Sequence, residues 1–278
     1  MNSDVLISAC LAVRNEERVI ERCLRSLDGA VDEIVLVHDG DCEDGTLEVA
    51  RSYGCTVFVQ PHKSPEHQRV FAYEQARGEW LIRIDADEFL SDELRANLRS
   101  LATDRGANGH RFRWPIWDGD RYITENGAPR LVMFRRDHTH VLGVPETSET
   151  VDPPIKDWPY VLEHRPLYNN FTREVISTKW RRRAQAHARA FVTDFSEIPK
   201  FNYNGPPRWS RRRILVNRLS PLLILPVAVI RFVYALIKHR SYYRLSENIR
   251  FAAYEAIYSS MLQYYLAKFV YLNGGRTP

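Results

Sequence analysis

The 278 residues, 44% hydrophobic and 27% charged, suffice to bury the core of one large domain, or of a medium domain with an appendage, and they hold no repeat or low-complexity tract. The net charge of +4 conceals a split: residues 1–150 carry 18 basic and 27 acidic side chains (net −9), residues 151–278 carry 21 and 8 (net +13), an acidic module joined to a basic one. The four cysteines (Cys10, Cys23, Cys42, Cys55) form no CxxC or zinc-type spacing, which argues against a zinc site and fits a reducing, cytosolic compartment.

In chain order, "DVLISACLAV" reads as a buried strand in which Cys10 is a small core residue. "EERVIERCLRSL" puts Val19, Ile20, Cys23, Leu24 and Leu27 on one helical stripe, with Asn15 placed to cap it and Glu16 and Glu17 at the positive end of its dipole. "DEIVLVH" is a second strand, followed by the acidic loop "DGDCEDG". "TLEVARSYG" is a short helix stopped at Gly54, "CTVFVQ" a third strand, and "PEHQRVFAYEQARG" a helix with proline at its front and Gly78 at its end. "EWLIRID" is a fourth strand, and residues 91–103 form another helix. This βαβαβαβ order implies a mostly parallel, Rossmann-like sheet with helices on both faces, whose ligands bind beyond the carboxyl ends of the strands.

From about residue 109 to 165 short strands and turns rich in Trp, Pro and Gly predict a mixed-sheet extension. Residues 172–194 read as a strongly basic helix, and "SEIPKFNYNGPPRW" as a boundary. Beyond it, the uncharged run from Leu219 to Ile230 is short of the ~20 apolar residues a bilayer needs, and Pro221, Pro226 and Arg231 argue against a simple span. A tyrosine-rich helix follows. Together they predict an amphipathic hairpin that lies on a membrane surface, or that packs on the catalytic domain or a second subunit. No apolar stretch follows a basic start at the N-terminus, so no signal peptide is expected.

The acids fall at strand ends: Glu16 after the first, Asp39 after the second, Asp85, Asp87 and Glu88 after the fourth. Two aspartates one residue apart can hold a hard divalent cation, and the alternative is that "DADE" merely caps the helix near Ser91. A ring of Glu16, Asp39 and Asp85 suits ribose hydroxyls and a base edge, and is costly without a cation or polar ligand. Asp44, with Gly45 and Thr46, reads as a turn and helix cap.

In order and spacing, Asn15-Glu16-Glu17, Asp39 with Asp44-Gly45-Thr46, Arg69, and Asp85-Ala86-Asp87-Glu88 resemble the donor half of a family 2 glycosyltransferase of the GT-A fold, over about the first hundred residues. The resemblance implies a nucleotide-sugar donor (UDP-, GDP- or dTDP-linked), Mn2+ or Mg2+, and inversion at the anomeric carbon. It places Glu16 and Asp39 on the nucleoside, Arg69 near the base or diphosphate, Asp85 near the ribose and Asp87 on the metal. "GAPRLVMFRR" resembles the Arg-Leu-x-x-x-Arg strand of bacterial members that build lipopolysaccharide cores or related glycans. "VPETSE" stands where those members often carry His-Glu, so Glu146 becomes the leading general base, with Asp120 and Glu125 as rivals. His164 in "VLEHRPLY" falls where related enzymes place a histidine on the metal or the diphosphate, and Lys179 where the diphosphate is bound.

A nucleotidyltransferase would need a glycine-rich basic turn after the first strand, where this chain has "LAVRNEERV". A non-catalytic membrane adaptor would not need Asp85, Asp87, Asp39 and Glu16. A nucleic-acid binder would interleave its basic residues with aromatics on an exposed sheet, whereas here the basic cluster abuts an apolar helix pair. The expected organisation is a catalytic domain over residues 1–195 (1–105 nucleotide-sugar-binding half, 106–195 acceptor and metal half), a linker at 196–210, and a membrane-associated helical region at 211–278. The expected acceptor is a lipid-linked or cell-envelope glycan, reached from the cytoplasmic face of the inner membrane.

Overall fold

The computed structural model describes residues 6–124, 127–145, 149–170, 172–203, 208–238 and 244–272, apart from the side chains of 191, 208–220, 238, 271 and 272. Its centre is an eight-stranded mixed sheet in the order β3 (Thr56–Gln60), β2 (Glu33–Asp39), β1 (Ile7–Val13), β4 (Trp80–Arg83), β7 (Ala128–Arg135), β6 (Gly109–Trp114), β10 (Ile155–His164), β5 (Glu88–Leu90). The parallel half is β1, β2, β3 and β4. β1 is flanked by β2 and β4, so the chain runs outward to β3 and then crosses back. That reversal opens a crevice at the carboxyl ends of β1 and β4, the position expected for a ligand.

β1 and β2 are buried almost throughout, because helices cover both faces. On one face α1 (Glu17–Leu27) sets Val19, Ile20, Cys23, Leu24 and Leu27 against the sheet, and α4 (Asp92–Ala102) adds Leu94, Leu98 and Leu101. On the other, α3 (Pro65–Gln75) buries Val70, Ala72 and Tyr73 against Val35, Leu81 and Phe134. Each such aliphatic side chain contributes ~1.5–3 kcal/mol when removed from water. α2 (Thr46–Ser52) is the short helix after the acidic loop.

Two local expectations change. Asn15 does not cap α1: it sits at φ 53° in the left-handed region, and its side chain accepts from the Glu43 N–H instead (3.0 Å). The first turn of α1 is served from the next loop, where Asp44 accepts from the Glu17 N–H (3.1 Å) while also closing its own turn on Thr46 (2.9 Å). Gly78 does not end a helix, since α3 stops at Gln75; a Cβ there would meet the Ser8 backbone nitrogen at 2.6 Å, so glycine is required by close approach to β1.

The second half of the sheet is less local. β5 (Glu88–Leu90) follows "DAD" directly and pairs with β10 (Ile155–His164), while β7 (Ala128–Arg135) inserts antiparallel between β4 and β6 (Gly109–Trp114). A small sheet, β11-β8-β9, joins Lys200–Phe201, Thr139–Leu142 and Thr150–Val151. Ile198 and Phe201 are buried there, so the stretch expected as a linker starts as packed chain.

The basic helix begins as α5 (Arg173–Val175), passes through a wide π-type turn at Ile176–Trp180 and continues as α6 (Arg181–Val192). α7 (Arg208–Lys238) and α8 (Leu245–Leu272) form the hairpin. α8 lies on α6, where Ala184 and Ala188 are fully buried and allow close approach. Arg121 pairs with Glu247 to fix the start of α8. The fold is therefore the expected mostly parallel α/β sheet with helices on both faces and a C-terminal helical hairpin.

Candidate active site

A cleft of about 800 Å³ opens at the crevice between β1 and β4. Glu16, Arg69, Asp85, Asp87, His164 and Lys179 all line it. Asp39 does not: it stands at the end of β2, accepting from the His62 N–H (2.8 Å) and facing Arg14 (3.8 Å). The expected ring of acids thus closes on Glu16 and Asp85, joined by Asp87. Glu146 and its rival Glu125 lie outside the described residues, and Asp120 is an exposed loop residue. Glu149, the second glutamate of "VPETSE", is buried on Arg83 (3.1 Å) and the Tyr73 hydroxyl (2.7 Å) and serves the framework.

α3 is tied to the crevice by Gln68, whose buried amide donates to the carbonyls of Val13 at the end of β1 (2.8 Å) and of Val37 near the end of β2 (2.7 Å). Those strand-end acceptors are satisfied and Arg69, the next residue, is carried into the cleft. The "DAD" turn is built on Glu88. Its fully buried carboxylate accepts from the Asp85 N–H (3.0 Å), the Trp114 indole N–H (2.8 Å) and Arg130. Ser91 caps α4 with its own hydroxyl, so "DADE" is not a helix cap.

Register explains Arg130. β7 runs antiparallel to β4 with Met133 opposite Ile82. Three residues back along β7 lies Arg130; three forward from Ile82 lies Asp85. The two meet at 3.6 Å. Asp85 keeps 42% of its side chain open to the cleft. Burial by the surrounding protein raises its carboxyl, but Arg130, Arg83 and Arg69 outweigh this and hold it well below the usual carboxylate range. For Glu88, burial and the Asp85 charge outweigh Arg130 and push its carboxyl up.

Trp114 carries the arrangement to the next pair. Its ring stacks on His164 (centroids 4.4 Å apart, 22° between planes), and His164 Nε2 faces Asp87 Oδ2 at 3.4 Å. His164 Nδ1 is buried and has no hydrogen-bond partner among the described residues. Among the described residues no three His, Cys, Asp or Glu side chains converge as a metal cage. The Asp87–His164 pair instead supplies one oxygen and one nitrogen donor facing each other beside an open cleft, a donor set that fits a divalent cation completed by substrate oxygens.

Glu16 is the titrating member. Burial, then the Asp87, Asp85 and Asp44 charges, push its carboxyl up to about 7, against the opposing effect of Lys179. A raised carboxyl binds its proton more tightly in the folded chain, so its contribution is present at low pH and lost as pH rises through about 7. In metal-free buffer Glu16→Gln is therefore expected to match the wild type near pH 4.5 and to melt higher at pH 8. Thermal denaturation across that range checks this; a difference that is constant with pH or of opposite sign would refute it.

Of the other wall, sequence reading named Lys179 and the Arg181–Arg183 run as diphosphate candidates and missed the rest. α6 contributes Arg183 and His187, α7 contributes Arg231, and α8 contributes Glu255 and Tyr258 to the same cleft. The i, i+4 spacing of Lys179, Arg183 and His187 was the available signal.

The profile of Glycosyl transferase family 2 matches residues 8–147, half of the chain and the part that holds Glu16, Arg69, Asp85 and Asp87. The chain belongs to this family. Among curated relatives, it is 38% identical over 131 residues to an uncharacterized glycosyltransferase of Rickettsia bellii, covering 47% of this chain and 40% of that protein. It is 35% identical over 139 residues to the lipopolysaccharide core biosynthesis glycosyltransferase LpsC of Rhizobium meliloti, covering 47% and 51%. The chain thus spans about half the length, or less, of these relatives. Among solved structures, S. aureus TarS 1-349 aligns over 97% of this chain and 92% of its own at 15% identity and TM-score 0.43. Glucosyl-3-phosphoglycerate synthase from Mycobacterium tuberculosis, solved with Mn2+ and UDP-glucose, aligns over 40% and 44% at 22% identity and TM-score 0.34.

Proposed function

We propose that this family 2 glycosyltransferase is an inverting enzyme that moves a sugar from a nucleotide sugar (UDP-, GDP- or dTDP-linked) to a lipid-linked or cell-envelope glycan, with Mn2+ or Mg2+ held by Asp87 and His164. The observation that carries the reading is the convergence of Glu16, Asp85 and Asp87 with Arg69, His164 and Lys179 in one cleft at the sheet's reversal point. Bound there, a divalent cation would neutralise diphosphate oxygens and improve the leaving group.

The residues divide the work. Asp85, kept ionised by its arginines, accepts from ribose hydroxyls; Glu16 serves the nucleoside; Arg69 and Lys179 donate to the diphosphate. The acceptor hydroxyl attacks the anomeric carbon from the face opposite the diphosphate. The new carbon–oxygen bond forms as the bond to the diphosphate oxygen breaks, and the hydroxyl proton passes to a carboxylate. Glu146 is the base that the family resemblance favours. Glu255 is a second candidate because α8 carries it into the cleft. Replacing the base by glutamine is expected to lower kcat by ~10²–10⁴ with KM for the donor little changed. Comparing Glu146→Gln with Glu255→Gln identifies it, and full activity in both variants excludes both.

The membrane part rests on α7. Leu222, Leu225, Val229, Ile230, Val233 and Ile237 are exposed along it, in the half of the chain that carries net +13. Among the described residues no helix is long and apolar enough to cross a membrane. An apolar ridge in the basic half of the chain fits peripheral docking on an anionic bilayer, which we assign to the cytoplasmic face of the inner membrane. Release of nucleoside diphosphate across UDP-, GDP- and dTDP-sugars with Mn2+ tests the enzyme reading, and silence with every donor would sink it. Removal of residues 206–278 with undiminished recovery on anionic vesicles would sink the membrane reading.

A further inference from the structure

Beside the catalytic cleft lies a second pocket of about 660 Å³, a side chamber that is open to solvent and shares Tyr168, Lys179 and Arg183 with the cleft. We propose that this chamber is a phosphate-binding subsite for the acceptor, built by Arg182 and Arg183 with Lys179 at the doorway. The inference rests on the glycosyl-transfer reading of the cleft and adds the chemical class of the acceptor: a saccharide or glycolipid carrying a phosphate monoester.

Helix geometry assembles the site. Lys179, Arg182 and Arg183 stand at i, i+3 and i+4, so they share one face, while Trp180, Ala184 and Ala188 turn the other face to α8. The π-type turn at Ile176–Trp180 contains Lys179, and such turns are frequent at functional sites. Lys179 is held at the doorway by the Tyr168 hydroxyl and by Asn170 Oδ1 (3.4 Å). Glu174 also lines the chamber, which leaves three cations against one carboxylate. With Lys179 shared with the donor diphosphate, Arg182 and Arg183 against Glu174 still leave the pocket net positive, and guanidinium forks match phosphate oxygens in pairs. The donor diphosphate is assigned to the acidic end of the cleft, where Asp87 and His164 face each other. An acceptor anchored by its phosphate in the side chamber can direct a hydroxyl through the shared doorway toward that end.

Two probes carrying a phosphate monoester test this on the full chain: glucose 1-phosphate, and phosphatidylcholine vesicles containing phosphatidic acid, compared with vesicles matched in surface charge by phosphatidylglycerol. The wild type is expected to bind glucose 1-phosphate, or to prefer phosphatidic acid over matched phosphatidylglycerol. Arg182→Glu is expected to weaken that binding about tenfold or more, and Arg182→Lys to retain most of it. Binding of both probes supports the site for free and lipid-borne phosphate alike; preference for phosphatidic acid alone supports a lipid-borne acceptor. Failure of the wild type with both probes, or binding that Arg182→Glu leaves unchanged, overturns the proposal. Arg182 lines the chamber and not the cleft, so acceptor-free donor hydrolysis is expected to stay within about twofold in Arg182→Glu. Arg182-dependent phosphate binding in a chain that hydrolyses no nucleotide sugar would uphold the subsite and refute the enzyme reading.

Discussion

Replacing Asp87 by asparagine is expected to abolish metal-stimulated turnover, with kcat/KM down by ~10²–10³, while the protein stays folded. Among the described residues Asp87 is the carboxylate of the turn with no arginine ion pair, and its side-chain neighbour is His164 at 3.4 Å. Asparagine keeps the shape but not the charge, so the cleft loses an anionic ligand without leaving a void. The fold has little to lose, because Asp87 is one of the charges that raise Glu16, and removing it relieves crowding. Two measurements bracket the claim. Donor hydrolysis as a function of Mn2+ should lose its metal-dependent component in Asp87→Asn, and in His164→Gln it should require ~10–100-fold more Mn2+. In parallel, the Glu16 carboxyl should titrate lower in Asp87→Asn than in the wild type, read by carbon-13 chemical shifts. Wild-type turnover in Asp87→Asn, or an unchanged Mn2+ requirement in His164→Gln, would remove the metal from this pair.

How far the site could be read without coordinates depended on the range of the interactions that build it. β1 to β4 and α1, α3 and α4 follow from apolar periodicity and turn residues within windows of about a dozen residues. Their strand ends delivered Glu16, Asp85 and Asp87 to one crevice because parallel topology places them there. Asn15 and Gly78 broke local rules for reasons that are not local. One bridges to Glu43 across 28 residues, the other packs against Ser8. Arg130 was visible as part of "GAPRLVMFRR", but its partner was not, since the contact with Glu88 spans 42 residues and depends on β7 slotting between β4 and β6. The cleft wall made by Arg231, Glu255 and Tyr258 depends on α8 packing against α6, and no pattern within either helix states that contact. The hairpin was read as lying on a membrane surface, or packing on the catalytic domain or a second subunit, and its two helices differ in how they are covered. α8 packs inward, while α7 keeps an exposed apolar ridge.

The largest effect on stability is expected at Arg130. Its guanidinium is the buried counter-charge to Glu88, whose side chain is fully buried, and to Asp85. Arg130→Met keeps the length and the contact with Trp114 but leaves two carboxylates together, one of them out of reach of water. Removing one partner of a buried pair costs ~3–5 kcal/mol. An exposed pair such as Arg25–Glu21, with both side chains more than half open to solvent, contributes ~0.5 kcal/mol or less. For a chain of this size the buried loss corresponds to a Tm lower by ~10 °C. The penalty has a sign in pH. Without Arg130 the Glu88 carboxyl, already pushed up by burial, rises further, so the folded variant holds a proton that the unfolded chain releases. The gap from the wild type should therefore widen as pH increases from 5 to 8. Glu88→Gln in the Arg130→Met background removes the stranded charge but still accepts from the Asp85 N–H or the Trp114 indole. It is expected to recover about half of the lost stability without restoring turnover, because Asp85 still lacks its nearest cation. A double-mutant cycle in Tm and donor hydrolysis reads both quantities. If Arg130→Met melts with the wild type, or if the double variant is no more stable than the single one, Glu88 is not the anchor of the turn, and the geometry that holds Asp85 and Asp87 at the mouth of the cleft must come from elsewhere.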